Sequence, residues 1–219
     1  MNVLIIGANG QIGRHLIRKL QESDNHNPIA MVRKEEQKAK FEEQEVETAL
    51  VDLEESVETI ANAAKDADAV VFSAGSGGKT GADKTMLIDL DGAIKSMKAA
   101  EQAGVKRFVI VSGIGVHKWH SNNRLEWMDS SQPYSAAKYY ADVWLERSGL
   151  DYTIIRPGQL TNDPETGKVT IASDLEHKHI SREDVASAII ASLENNRTIG
   201  KAFDMIGGET PIEEALKTL

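Results

Sequence analysis

The sequence predicts an α/β protein built on a doubly wound, parallel sheet, and three observations carry that expectation. Short apolar runs alternate along the chain with amphipathic stretches of ten or more residues, the pattern of strands joined by crossover helices. The first run, Val3-Leu4-Ile5-Ile6, has no polar interruption, as a strand buried on both faces requires. Gly7, Gly10 and Gly13 then follow at spacings of three and open a helix with Ile12, Leu16, Ile17 and Leu20 on one side.

Composition narrows the setting. At 219 residues the chain can bury a sizeable core in one domain. The 25 basic against 34 acidic side chains leave a net charge of -9, which argues against a nucleic-acid or anionic-membrane partner. The absence of cysteine excludes disulfides, thiolate metal sites and cysteine nucleophiles. The first apolar run stops at Gly7, too short for a signal peptide or a membrane span, so a cytoplasmic location is expected.

Strand, glycine turn and helix together form a phosphate cradle: the glycines permit a tight turn and close approach, and the free N–H groups at the helix start attract negative charge. A second short strand, 29–32, follows a turn cluster and ends at Arg33, 20 residues past Gly13. In a dinucleotide-binding sheet that position meets the adenosine ribose. An acid there suits a 2'-hydroxyl, whereas an arginine, here with Lys34 beside it, suits a 2'-phosphate and hence NADP over NAD.

Charges dominate 34–47, a solvated helix and loop. A third strand is expected at 46–51, and a helix at 52–65 with Leu53, Val57 and Ile60 inward. The fourth strand is 69–72, and a glycine-rich loop covers 75–81. A long helix from 84 to 103 is ended by Gly104, and the fifth strand follows at 107–111. A helix at 133–148, stopped by Gly149, leads to a sixth strand at 152–155. The remainder is less regular: a loop at 157–167, a strand near 169–172, a helix at 182–194, a strand at 203–206 and a last helix from Ile212. Segments 114–132 and 157–180 are therefore expected to form the substrate side of the same single domain.

Ser73 to Thr80 ends in the Gly-Lys-Thr of a nucleotide-triphosphate loop, but Ser73 stands where the leading glycine belongs. It reads instead as a second backbone wall, with 77–81 as a mobile flap. Tyr134 and Lys138 lie four residues apart on one face of a predicted helix. A phenol titrates near pH 10 in isolation, so acid–base work at neutral pH calls for a nearby cation such as Lys138 to lower its pKa. The histidines at 117, 120, 177 and 179 fit no metal spacing, and no metal is expected. Trp119, Trp127 and Met128 form either a substrate lid or a packed loop.

The glycine turn, Arg33, Val51-Asp52-Leu53, Ser73-Ala74-Gly75, Val111-Ser112-Gly113, Tyr134 with Lys138, and Arg156-Pro157-Gly158 occur in the order of the short-chain dehydrogenases/reductases. The chain resembles the atypical, single-domain NAD(P)-binding branch of that Rossmann-like superfamily. It is also similar to sugar-nucleotide epimerases without their C-terminal domain, to flavin/biliverdin reductase and to the nitrogen-repression type of redox sensor. The resemblance spans roughly 1–204 and is specific for fold and cofactor, not for substrate.

The resemblance implies that Gly7, Asn9, Gly10, Gln11 and Ile12 line the pyrophosphate, and Arg33 the 2'-phosphate. It places Asp52 and Leu53 at the adenine, Ser73, Ala74 and Gly75 along the central ribose, Lys138 on the nicotinamide ribose, and Pro157 and Gly158 beside the nicotinamide. NADP is the expected cofactor and NAD is possible; Tyr134 is the expected proton donor or acceptor, tuned by Lys138. One departure matters: the fifth strand should end in two hydroxyl residues, but here Gly113 replaces the second, leaving Ser112 one residue early. Three functions compete. They are an NADP-dependent oxidoreductase for a small carbonyl, quinone or flavin-like substrate, a non-catalytic redox sensor or scaffold with a protein partner, and a sugar-nucleotide epimerase/dehydratase. Either a monomer or a dimer is compatible with all three.

Overall fold

The computed structural model describes residues 1–78 and 80–219. Lys79, at the centre of the Gly-Lys-Thr triplet and of the expected flap, lies outside the described residues. The strands are, in chain order, β1 (Asn2–Ile6), β2 (Asn27–Val32), β3 (Glu47–Leu50), β4 (Ala69–Phe72), β5 (Arg107–Val111), β6 (Asp151–Pro157), β7 (Gln159–Thr161), β8 (Lys168–Ala172), β9 (His179–Ser181), β10 (Lys201–Gly207) and β11 (Thr210–Pro211).

Nine of them form one sheet in the order β11-β8-β10-β6-β5-β4-β1-β2-β3. From β3 to β10 every neighbouring pair is parallel; β8 runs antiparallel to β10, and β11 antiparallel to β8. This is the predicted doubly wound sheet. The order reverses at β1, and a reversal opens a crevice beyond the carboxyl ends of the strands. Ile6 pairs with both Met31 and Phe72, so β1 and β4 leave the sheet at one level, into Gly7 and Ser73, and β2 leaves one residue further on, into Arg33.

The alternation of side chains along β1 explains its unbroken apolar run. Val3 and Ile5 enter one core with Leu16, Ile17, Ile189 and Phe203, whereas Leu4 and Ile6 enter another with Ile60, Met97, Phe108 and Leu145. Helices Gln11–Gln21 and Arg182–Glu194 cover the first face; Val57–Ala64, Ala93–Ala103 and Gln132–Glu146 cover the second.

The boundaries depart from expectation where side chains recruit the backbone. The helix expected from 52 starts at Val57, because Asp52 Oδ1 accepts from the Glu54 N–H at 3.0 Å and Ser56 Oγ caps the Thr59 N–H at 3.2 Å. Inside the long helix, Thr85–Gly92 winds as a π-helix between Ala82–Lys84 and Ala93–Ala103. The loop expected at 157–167 contains β7, which pairs in parallel with β9 as a separate ribbon. Strands of three residues are too short for periodicity to reveal. Among the described residues no helix is long and apolar enough to cross a membrane.

Candidate functional site

The glycine turn is closed by packing as much as by conformation. Gly7 has φ +94°, and a Cβ there would lie 2.6 Å from the Ala74 nitrogen. At Gly13 a Cβ would lie 2.3 Å from the Gly7 carbonyl, so the helix rests directly on the turn. Gly10 N–H donates to the Gly7 carbonyl at 2.8 Å and precedes the helix in extended conformation. No side chain caps that helix and no acid occupies its first turn. Its first-turn donors therefore stand beside a crevice with Gln11 and Ile12 in the wall, an arrangement that fits an anionic pyrophosphate.

The crevice has a volume of about 910 Å³ and runs along the strand ends. Gly7, Asn9, Gly10, Gln11, Ile12, Arg33, Asp52, Leu53, Ser73, Ala74, Gly75, Ser112, Tyr134 and Lys138 all line it. Pro157 and Gly158 do not. The Pro157 carbonyl accepts from Ile114 N–H at 3.0 Å, and Gly158 N–H donates to Met205 at 2.8 Å, which ties both into the sheet behind the wall. Asn9 is held by Arg14, which donates to its side-chain oxygen at 3.0 Å.

Arg33 stands exposed at one end, with Gln37 beside it in the wall. Its guanidinium makes no ion pair among the described residues, and only its backbone N–H is engaged, donating to Gln37 Oε1 at 3.3 Å. Lys34 is turned away, 3.5 Å from Glu36, and does not line the crevice.

At the other end Lys138 is buried. Its Nζ donates to the Val111 carbonyl at 3.1 Å, and it lies 3.6 Å from Asp89 Oδ1 and 5.6 Å from the Tyr134 ring centroid. Asp89 is only 1% exposed and accepts from the Ser76 N–H at 3.0 Å. Burial pulls the Lys138 pKa down, but Tyr134, Asp89 and Asp142 together hold it above the ordinary lysine value. The expectation for Tyr134 is corrected in sign. Burial raises its pKa, Lys138 pulls the other way, and Asp89 and Asp142 add to the rise, so the phenol is held protonated.

Ser112 Oγ is buried and faces Asp142. Burial pushes the Asp142 pKa up, while Arg156, whose Nε donates to its Oδ2 at 2.8 Å, pulls it back. At Gly113 a Cβ would lie 3.3 Å from Val116 Cγ1, 3.5 Å from Trp127 Cη2 and 3.8 Å from Tyr134 Cε1. A side chain in place of the missing hydroxyl residue would press on Val116 and touch the edge of the Trp127 indole. Met128 is wholly buried on a short helix, Glu126–Ser130, that replaces the expected loop, whereas Trp127 on the same helix borders a second pocket.

Sequence reasoning passed over Asp89, Gln37 and Arg182, all of which line the crevice. Asp89 had one signal, an acid inside the apolar run 86–90. It also missed a grouping of His117, Asp174 and Asp204, whose ligand atoms lie within 4.8 Å of one another. Asp204 accepts from Gly115 and Leu175 N–H groups, each at 3.3 Å, and Lys118 pairs with Asp174. Burial, helped by Arg156 and Lys118, lowers the His117 pKa to about 4, and burial raises Asp204 to about 6.

The sequence profile of the NAD(P)H-binding family matches residues 7–196. A Bacillus subtilis protein named an uncharacterized sugar epimerase, YhfK, is 55% identical over the full length of both chains. A Bacillus halodurans structure with the provisional name NAD-dependent epimerase/dehydratase superposes with a TM-score of 0.90 at 43% identity, covering all of both chains. The oxidoreductase ylbE of Lactococcus lactis superposes with a TM-score of 0.89 at 33% identity, covering 100% of this chain and 96% of that one.

Proposed function

The chain belongs to the NAD(P)H-binding family, and from that membership we propose that it is an NADPH-dependent reductase of small carbonyl or quinone substrates. The observation that carries the reading is the Tyr134 phenol beside the buried Lys138–Asp89 pair, in one crevice with the unpaired Arg33. Reduction of a carbonyl oxygen needs a proton as the hydride arrives, and the Lys138 cation beside the phenol opposes the rise that burial gives its pKa and so favours that transfer.

Gly7, Asn9, Gly10, Gln11 and Ile12 hold the pyrophosphate in this reading, and Arg33 the 2'-phosphate. Asp52 and Leu53 border the adenine, and Ser73, Ala74 and Gly75 the central ribose. Bound there, the dihydronicotinamide supplies the hydride. Lys138 holds the adjoining ribose and Tyr134 Oη passes its proton to the substrate oxygen. Ser112 lines the crevice with its hydroxyl buried near Asp142, so in this reading the proton comes from Tyr134 and not from Ser112.

The name of the Bacillus subtilis relative favours a second reading, a sugar-nucleotide epimerase. Against it stands the substrate side, where Glu126 and Glu176 line the pocket beside Trp127, a poor setting for a sugar diphosphate. Steady-state NADPH oxidation against a panel of quinones, aldehydes and flavins separates the readings. A reductase consumes NADPH and loses about 10² to 10⁴ in rate on Tyr134→Phe; an epimerase returns its cofactor unchanged; a sensor binds NADPH and turns over nothing. A Tyr134→Phe variant as fast as the parent overturns the assignment of the proton donor.

A further inference from the structure

Beside the crevice lies a second pocket of about 580 Å³, lined by Leu125, Glu126, Trp127, Ser130, Glu176 and His177. Trp127 separates the two spaces: its ring centroid is 6.3 Å from that of Tyr134 on one side and 5.7 Å from that of His177 on the other. Ser130 lines the pocket and Ser131, its neighbour in sequence, lines the crevice. The pocket therefore opens within one ring's width of the group assigned as proton donor.

Its chemistry is selective. The indole and imidazole planes are inclined by 38°, giving a broad aromatic wall continued by Leu125. Trp127 Nε1 is buried and has no acceptor among the described residues. A buried donor without a partner is costly, and an incoming oxygen removes that cost. The charged side chains in the lining are two carboxylates, Glu126, which makes no ion pair among the described residues, and Glu176, which lies 3.2 Å from the Lys178 ammonium. Burial, with His179 nearby, lowers the pKa of His177, which leaves it uncharged at neutral pH and adds no cation.

We propose that this pocket seats the body of the substrate, and that it selects a flat, uncharged aromatic carbonyl compound, stacked on Trp127 and accepting from its Nε1–H, over a carboxylated one. The wall supplies stacking, the indole nitrogen fixes the carbonyl, and the glutamates, chiefly the unpaired Glu126, repel an anion. Placing this compound's reactive carbon at the hydride rests on the reductase reading; its binding in the pocket does not.

Acridone, a neutral planar carbonyl compound that is not reduced, and acridone-2-carboxylate are titrated against the NADPH-saturated protein by fluorescence. Acridone is expected to bind at least about tenfold more tightly than the carboxylate. Trp127→Phe, which keeps a ring and removes the donor, weakens acridone by about three- to tenfold, and Trp127→Ala by more. The double substitution Glu126→Gln, Glu176→Gln closes the gap between the two probes while leaving NADPH affinity unchanged. Melting curves accompany each variant, and the glutamate pair, which is exposed, carries the test if a tryptophan variant fails to fold. Equal affinities for the two probes, or acridone binding that survives Trp127→Ala in folded protein, overturn the proposal. Acridone binding as described, without NADPH turnover on any quinone, leaves the pocket standing and sinks the reductase reading instead.

Discussion

Arg33 has no carboxylate to release before it meets an anion, so a 2'-phosphate gains most of a charge-assisted hydrogen-bond pair. At roughly 1.5–3 kcal/mol this gives NADPH about a ten- to hundredfold advantage over NADH. Fluorescence titration of both cofactors checks it, and Arg33→Ala should erase the difference. Ser112 and Gly113 invite the opposite expectations. Because the Ser112 hydroxyl faces Asp142, Ser112→Ala should cost less than about tenfold in rate, well below the loss from Tyr134→Phe. Gly113→Ser should lower activity, because its side chain meets Val116 and Trp127 where an extra hydroxyl would otherwise complete the site. His117 governs a pH response. Its pKa falls from 6.5 to about 4 in the folded chain, so the neutral form is favoured on folding. That contribution is present above pH 6.5 and is lost as pH falls towards 4, whereas Asp204, raised to about 6, shifts stability in the opposite direction. The melting temperature of His117→Asn relative to the parent should therefore rise steadily from pH 7 to pH 4.5.

The π-helix Thr85–Gly92 and the helix Gln132–Glu146 act as a pair. The first delivers Asp89, the second Tyr134 and Lys138, and the three meet where both helices pass the end of β5. Single π turns widen a helix locally and frequently mark functional positions, because the change in phase re-aims side chains. Asp89 raises the pKa of both Tyr134 and Lys138. Asp89→Asn keeps the shape and removes the charge, so the alkaline limb of the pH–rate profile should move to lower pH. An unmoved limb would show that this carboxylate does not act on the phenol. The glycine turn is the other element under tight constraint, since an added Cβ at Gly13 meets backbone oxygen on the turn itself.

The sheet as a whole carries both ends of the site on its most buried strands. β1, β4 and β5 are sandwiched between two cores, and the site sits on the loops at their carboxyl ends. A dinucleotide that binds only the folded chain stabilises it by mass action, about 2.7 kcal/mol at a hundred times its dissociation constant. For a chain of this length that corresponds to a rise in melting temperature of about 5–10 °C. NADPH should produce this shift at a lower concentration than NADH, and Gly10→Val should abolish it; the unliganded melting temperature should also fall somewhat, because a Cβ there meets the Gly7 carbonyl at 3.0 Å.

What could be read from the sequence was local. The unbroken run of β1, the three glycines, the helix they open and Arg33 at the end of β2 each announce themselves within a few residues, because period and turn chemistry are short-range properties. The parallel sheet with helices on both faces followed from the alternation of strands with helices, since crossovers have one hand; the order of its strands did not. Asp52 and Ser56 displaced a predicted boundary by side-chain hydrogen bonds that periodicity does not register. The direction of the Tyr134 shift depended first on burial, and Asp89 adds to it from a different helix. Asp204 accepts from Gly115 across 89 residues, and the edge of the Trp127 indole comes beside Gly113. Burial and the mutual placement of charges arise only when distant segments pack, which is why the cofactor end of the crevice was written in the sequence and the chemistry of its substrate end was decided by the tertiary structure.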